Sequence, residues 1–333
     1  MSDNPVSVLI VIPCLNEAAH IGALLEQLSP AGDRLGAMIV VADGGSTDGT
    51  QAIVEHVSAH DPRVRLVHNE RRIQSAAVNL AARLYGQGAD FLIRVDAHGR
   101  YPDDYCDRLV EEALATGADA VVVSMQTVGS GLVQAAAAAA QTSRLGTGGS
   151  RHRRVREDGG EWIDHGHHAL MRIAAFNAVG GYDETFSHNE DAELDHRLRQ
   201  AGRRIWLTGK TRMTYFPRSS LGSLYLQYLG YGRGRARNAL KHSIVPKLRQ
   251  AIPLLVLPAV ILAAFAFVHW IAFVPLAIWL AVCLGFGLWT AIRRGRPQLV
   301  LAGVSVMIIH FAWSLGFWQQ LLSGTTARRE VTQ

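Results

Sequence analysis

Met38-Ile-Val-Val-Ala42 runs without a break into Asp43-Gly-Gly-Ser-Thr-Asp-Gly-Thr50. An apolar run of this length reads as a buried strand. The acid that ends it, the paired glycines and the Ser/Thr/Asp cluster read as a turn into a helix. Gly44 lets backbone approach a ligand closely, and the helix start offers free N–H groups. An α/β sheet builds a nucleotide pocket in this way. Asp43 is explained either as a helix-capping acid or, better, as a carboxylate accepting hydrogen bonds from a base or ribose. Asp48 fits the capping role.

Working outward, strand and helix alternate through the first two hundred residues. Strands are predicted at Val6–Pro13, Met38–Asp43, Val64–His68, Phe91–Asp96 and Ala120–Met125, with helices at about 18–29, 47–59, 74–86 and 103–116. Continuous apolar strands belong to a mostly parallel sheet flanked by helices. Ligands on such sheets bind beyond the carboxyl ends of the strands, where Asp43 and Asp96 both fall. The first strand ends in Pro13-Cys-Leu-Asn-Glu17 and lacks Gly-x-Gly-x-x-Gly, which argues against a dinucleotide fold. Asn16 and Glu17 either cap the next helix or face the ligand. Asp191–Ala201 reads as a helix with Glu193/Arg197 and Asp195/Arg199 pairs at i,i+4.

The C-terminal part is different in kind. No Asp, Glu, Lys or Arg occurs from Ala251 to Ile292 or from Gln298 to Gly324. About 20 apolar residues cross a bilayer as helix, so 251–324 is predicted to hold about three transmembrane helices, two of them in the first run. Residues 1–200 carry 17 basic and 27 acidic side chains, and 201–333 carry 16 basic and one acidic. Beside apolar spans this basicity points to membrane lipids and phosphate-bearing lipids as partners, and no nucleic acid. Arg293-Arg-Gly-Arg296 predicts a cytoplasmic loop, and with it a cytoplasmic N-terminal domain. The domains expected are thus 1–217 soluble α/β, 218–250 basic amphipathic and interfacial, 251–324 spanning, and 325–333 tail. The localisation expected is multi-pass in a bacterial-type inner membrane. No secretory signal opens the chain. Cys14, Cys106 and Cys283 show no paired spacing. Residues 129–160, with an alanine run and Arg151-His-Arg-Arg154, read as a loop over the site or as a disordered basic insertion.

Three further clusters carry chemistry. Asp96-Ala-His98 places a carboxylate and an imidazole at a strand end, able to face one ion on a diphosphate. That pair suits Mg²⁺ or Mn²⁺; the alternative is a turn with an exposed His98. Asn189-Glu-Asp191 starts a helix, where acids also serve the macrodipole. Asp164-His-Gly-His-His168 lacks zinc spacing and reads as a polar loop on the acceptor side, with His167 there and Gly166 leaving room for a sugar. Arg233, Arg235 and Arg237 either grip an acceptor's lipid diphosphate or anchor lipid headgroups.

In this order and spacing, Pro13–Glu17, Asp43–Thr50, Asp96–His98 and Asn189–Asp191 resemble glycosyltransferase family 2, the inverting GT-A nucleotide-diphospho-sugar transferases. Gln74-Ser-Ala-Ala-Val-Asn79, Arg94-Val-Asp-Ala-His98 and Tyr101-Pro-Asp-Asp-Tyr105 are similar to the succinoglycan-biosynthesis (ExoA-like) glucosyltransferases. The resemblance implies that Pro13, Glu17 and Asp43 hold the uridine of a UDP-sugar, while Asp96 and His98 hold a metal. It makes Asp191 the general base, positioned by Glu190. The family's third metal-motif acid is His98 here. No Gln-x-x-Arg-Trp follows residue 200, which favours single addition over processive synthesis. The function implied is membrane-bound transfer of one sugar, glucose in β linkage, to a lipid-linked saccharide in exopolysaccharide synthesis. Its rivals are a polyprenyl-phosphate sugar synthase and a catalytically dead nucleotide-binding scaffold.

Overall fold

The computed structural model describes residues 6–153, 159–246 and 248–330, and divides them into two units. The first is drawn from Met1–Gln126 and Val155–Thr214, the second from Thr127–Arg154 and Tyr215–Gln333. Elements are numbered in chain order.

The first unit is built on the strands β1 (Val8–Cys14), β2 (Met38–Asp43), β3 (Val64–His68), β4 (Phe91–Arg94), β5 (Ala120–Thr127), β6 (Gly160–Ile163), β7 (His167–Arg172) and β8 (Ile205–Tyr215). They form one sheet in the order β3-β2-β1-β4-β7-β5-β8-β6. Parallel pairing joins β1, β2, β3 and β4, and β7 runs antiparallel between β4 and β5. The parallel strands read as unbroken apolar runs because both faces are covered: Leu9, Ile10, Val11, Ile12, Val40 and Leu92 are all buried. Burying each such side chain stabilises by roughly 1.5–3 kcal/mol. The flanking helices are α1 (Ile21–Leu35), α2 (Thr50–His60), α3 (Gln74–Tyr85), α4 (Tyr105–Thr116), α7 (Ile173–Ala178) and α8 (Glu190–Gln200). The helices predicted from periodicity are present, shifted by a few residues. β8 has no counterpart in the sequence reading.

The second unit holds α5 (Gly131–Gln141), α6 (Arg144–Thr147), α9 (Leu221–His242), α10 (Leu248–Leu254), α11 (Val256–Ala263), α12 (Val274–Arg294) and α13 (Leu301–Glu330). Where 129–160 was expected as an irregular loop, the described part is mostly helical. Alanine is the best helix former and its small side chain permits close packing. Ala137 and Ala140 are buried with Leu224, Tyr228, Ile309 and Ala312. The residues 127–154 therefore go with the second unit rather than with 1–126. Arg154, the end of the basic cluster, lies outside the described residues.

Two helices among the described residues are long and apolar enough to cross a bilayer, Trp270–Arg294 and Pro297–Gly324. The first has only 11% of its apolar window buried; Ile278, Leu288, Trp289 and Ile292 lie exposed on it, as lipid-facing residues do. The stretch expected as a third crossing is the shorter apolar helix Ala251–Ala263. Its path is interrupted between α10 and α11, beside Pro253, because proline cannot donate the interior hydrogen bond. The segment expected to be interfacial is mainly α9. It packs along α13, with Gly232 against the Trp313 carbonyl and Gly316 against the Leu229 carbonyl. Arg233 donates to Oε1 of Gln319 at 2.8 and 3.2 Å.

Candidate active site

The first two loops of the sheet are laced into one surface. Asn16 adopts a left-handed conformation, φ 55°, and its side-chain oxygen accepts from the Thr47 N–H at 2.9 Å. The Asn16, Glu17 and Ala18 N–H groups donate to Ser46, Thr50 and Asp48 at 2.7, 2.9 and 3.0 Å. Gly44 N–H donates to the Cys14 carbonyl at 2.8 Å. Pro13, the penultimate residue of β1, stands in register with Ala42. Asp43 is fully buried. Its carboxylate accepts from the Gly45 and Ser46 N–H groups at 2.9 Å each, from Gln51 Nε2 at 2.6 Å and from the Ser46 hydroxyl. Burial works to raise its pKa, and those hydrogen bonds outweigh it and lower it. The carboxylate expected to face a base or ribose is thus engaged in building the turn that Gly44 and Gly45 form.

Beyond β4 the chain turns at Asp96. The Asp96 N–H donates to the Tyr101 hydroxyl at 2.8 Å, and Tyr101 lies over Gly99, where a Cβ would come within 2.4 Å of that oxygen. One oxygen of Asp96 accepts from Gln74 Nε2 at 2.8 Å. The other faces His167 Nε2 at 3.5 Å, too far for a good hydrogen bond. His98 is half exposed and its Nδ1 lies 2.8 Å from Oε1 of Glu17. Glu17, expected on the nucleotide, here orients an imidazole.

β7 runs antiparallel to β4, so its first residue lies at the edge where β4 finishes. His167 therefore arrives at the centre of the site, between Asp96 and Asp191, with Nδ1 3.9 Å from Asp191 Oδ2. Burial pushes it down to about 4, so it is neutral near pH 7. Gly166 does not leave room for a sugar. A Cβ there would meet Val122 at 2.5 Å, and its N–H donates to Asp195 at 3.3 Å. Next to it lies a relay centred on the buried Asp195, with the buried His168 Nε2 and the half-buried His165 Nδ1 at 2.7 and 2.6 Å from its two oxygens. The expected surface pair Asp195/Arg199 is absent because Asp195 turns inward, whereas Glu193–Arg197 forms at 2.6 Å.

Glu190 and Asp191 open α8 behind Asn189, which takes φ 62°. Asp191 Oδ1 accepts from Arg94 Nη1 at 2.8 Å and from the Tyr182 hydroxyl at 2.9 Å; Oδ2 lies 3.3 Å from Arg94 Nη2. Arg94 is 3% exposed, and its Nε, 3.6 Å from Asp96, has no hydrogen-bond partner. Burial opposes its charge, and Asp191 and Asp96 outweigh burial. Asn79 holds the segment in place, accepting from the Tyr182 N–H at 2.9 Å and donating to the Tyr182 carbonyl at 2.8 Å.

One edge of the sheet thus gathers Pro13, Asn16, Glu17, Asp43, Gly44, Asp96, His98, His167, Glu190 and Asp191 in a single unit. Arg233 and Arg235 belong to the second unit. Sequence reasoning gave no site role to Arg94, Tyr182 or the contact of Gln74 with Asp96, and it read His168 as part of a polar loop and Asp195 as half of a surface pair. Arg94 alone had a signal, a charged residue within an apolar strand.

Among the described residues no group of three or more His, Cys, Asp or Glu side chains is gathered as a metal site. Asp96 and His98 still fit a divalent ion that takes its remaining ligands from a diphosphate. The Asp96 oxygen facing His167 is not engaged by a close donor. Glu17 on Nδ1 fixes the His98 ring, and carboxylate support of this kind is usual for a ligating histidine.

The model of Glycosyl transferase family 2 matches residues 9–180. The chain is 60% identical over 316 residues to the Succinoglycan biosynthesis protein ExoA of Rhizobium meliloti (strain 1021), covering 95% of each chain. It is 30% identical over 124 residues to the Polyprenol monophosphomannose synthase of Mycolicibacterium smegmatis, 36% of this chain and 46% of that one. The fold is shared with the mannosyltransferase PcManGT from Pyrobaculum calidifontis, solved with GDP-Man and Mn²⁺. There the TM-score is 0.58 at 18% identity, over 91% of this chain and 86% of that one.

Proposed function

The chain belongs to glycosyltransferase family 2, with the GT-A fold, and from that premise we propose that it adds one sugar, glucose in β linkage, from a UDP-sugar to a polyprenyl-diphosphate-linked oligosaccharide in succinoglycan-type exopolysaccharide synthesis. The 60% identity to Succinoglycan biosynthesis protein ExoA along nearly all of both chains carries this reading. The two apolar helices suit an acceptor held in lipid at the cytoplasmic face of an inner membrane.

The chemistry follows from the residues at the sheet edge. The joined loops of Pro13–Glu17 and Asp43–Ser46 bind the nucleotide, with backbone at Gly44 and Gly45 approaching it closely. Asp96 and His98 hold Mg²⁺ or Mn²⁺, which when bound neutralises the departing diphosphate. Gln74 and Glu17 keep those two side chains in place. A sugar hydroxyl is a weak nucleophile near neutral pH, so a carboxylate must take its proton as it attacks C1. Asp191 supplies that carboxylate, with Glu190 beside it as the positioning residue, and attack opposite the leaving group inverts the anomeric centre. In the second unit, Arg233 and Arg235 hold the phosphates of the acceptor lipid.

UDP release tests the reading, measured for a panel of UDP-sugars with Mg²⁺ or Mn²⁺ in membranes carrying or lacking lipid-linked glycans. Release from a single donor only when glycan-lipid is present is the expected result; release without it overturns the acceptor assignment. The 30% identity to Polyprenol monophosphomannose synthase favours a second reading, transfer to polyprenyl phosphate itself. Turnover with polyprenyl phosphate alone would select that one.

A further inference from the structure

Resting on the glycosyl-transfer reading, we propose that His167 is a positioning residue for the metal ligand Asp96. Its Nε2–H is aimed at the second oxygen of that carboxylate, and Arg94 fixes the proton on that nitrogen. The imidazole expected on the acceptor side thus serves the donor's metal.

The strands bring these side chains together. Residues two apart on a strand point to one face, so Arg94, which ends β4, and Asp96, just beyond it, project the same way. The register of β4 and β7 pairs Phe91 with Arg172, Leu92 with Met171 and Ile93 with Leu170. Carried past the end of β4, that register sets His167 opposite Asp96. Cross-strand neighbours on one face meet side by side, and His167 Nε2 lies 3.5 Å from Asp96 Oδ2.

The proton on the ring follows from its neighbours. Arg94 Nη2 lies 3.4 Å from His167 Nδ1. A guanidinium only donates, so Nδ1 accepts and the proton sits on Nε2, directed at Asp96. The other tautomer would set N–H against N–H at Arg94 and lone pair against lone pair at Asp96. Arg94 has little freedom to give way. Its side chain is 2% exposed, and Asp191 holds Nη1 at 2.8 Å and Nη2 at 3.3 Å.

Asp96 has one oxygen in use and one in reserve. Oδ1 accepts from Gln74 Nε2 at 2.8 Å, which leaves Oδ2 as the oxygen for a cation. A carboxylate oxygen has more than one lone pair, so Oδ2 can face His167 on one side and an ion on the other. At 3.5 Å the contact is long for a hydrogen bond, and its effect is directional. Arg94 Nε, a buried donor without a hydrogen-bond partner, lies 3.6 Å from Oδ1. Without the His167 N–H, the carboxylate is drawn toward that donor and away from the ion.

The test uses the full chain with two replacements at His167. A glutamine amide reaches the position of Nε2, whereas an asparagine amide reaches only that of Nδ1. UDP binding is titrated with Mn²⁺ and repeated without metal. His167→Asn should weaken Mn²⁺ binding by roughly 10–100-fold, the usual effect of losing a group that supports a ligand, and His167→Gln by much less. Metal-free UDP binding should hold in both. UDP release by His167→Asn, in membranes carrying lipid-linked glycans, should recover as Mn²⁺ is raised, which a damaged fold would not allow. Wild-type Mn²⁺ affinity in His167→Asn, or an equal loss in both variants, overturns the assignment. Loss of metal-free UDP binding in both overturns it too, because His167 would then support the fold rather than Asp96. Wild-type protein that binds UDP with Mn²⁺ but releases UDP from no donor overturns the transfer reading instead.

Discussion

Oε1 of Glu17, just after β1, lies 2.8 Å from Nδ1 of His98, 81 residues further along the chain. A carboxylate on one ring nitrogen sets the tautomer and the orientation of the ring. Glu17→Ala should therefore weaken Mn²⁺ binding by roughly 10–100-fold. Titration of Mn²⁺ against UDP binding measures this, and metal-free UDP binding should change much less. Equal losses with and without metal would return Glu17 to the nucleotide.

Arg94 is the most exposed to test by its burial. Replacing it with methionine leaves Asp191 without its cation, removes the donor to the Tyr182 hydroxyl and takes a positive charge from beside Asp96. Removing one partner of a buried ion pair destabilises by roughly 3–5 kcal/mol. Chemical denaturation of the full chain in detergent should show a loss of that order in Arg94→Met. A neutral result would mean that water reaches Asp191.

The relay at Asp195 predicts how stability varies with pH. Burial works to lower His168, yet the charge and hydrogen bond of Asp195 outweigh it and raise the imidazole above 6.5. A raised folded pKa contributes stability that is complete below the unfolded value and is lost as pH rises through the folded one. The thermal midpoint should therefore decline as pH rises above 6.5, and His168→Gln should flatten that decline. An unchanged slope in the variant would place the titration elsewhere.

Asp43 should behave as a structural acid as well as a site residue. Asp43→Asn exchanges an acceptor-only group for one that presents its own N–H donors to the Gly45 and Ser46 amides. Each buried donor left unmatched costs roughly 1–3 kcal/mol. UDP affinity and unfolding midpoint should fall together. Loss of affinity at full stability would show that Asp43 reaches the nucleotide directly.

Packing in the second unit gives a paired test within α9. A Cβ at Gly232 would come 2.1 Å from the Trp313 carbonyl, whereas one at Gly222 would meet nothing within 4 Å. Gly232→Ala should cost about 1–3 kcal/mol or more through overpacking. Gly222→Ala should be neutral or stabilising by roughly 0.5–1 kcal/mol, from the lost freedom of glycine. Thermal midpoints in detergent separate the two.

The parallel core was readable because β1, β2 and β4 are apolar on both faces, a pattern that needs no partner to interpret. β8 was not read, although Lys210 and Arg212 alternate with the buried Thr211 and Met213; polar residues diluted the signal. The alanine run was misread for another reason: a helix that buries only methyl groups has little amphipathic contrast. In the site, the loop motifs showed because they are local. The clamp on Asp191 did not, since Arg94 stands 97 residues before it and spacing says nothing about such a pair. Asp195 misled because its i,i+4 relation to Arg199 is a good local pattern that hydrogen bonds to two histidines override.

The discontinuity of the second unit sets a timetable for synthesis. Domains of a nascent chain tend to fold as they emerge, N-terminal ones first. The first unit has all its strands by Tyr215. The alanine helix Gly131–Gln141 is made before β6, β7 and β8, yet its neighbours Ile309 and Ala312 come near the end. Leu145 waits in the same way for His310, 165 residues later, to bond its carbonyl. A chain stopped after residue 215 would therefore have every strand of the first unit but an alanine helix still without the partners that only synthesis through Ala312 supplies.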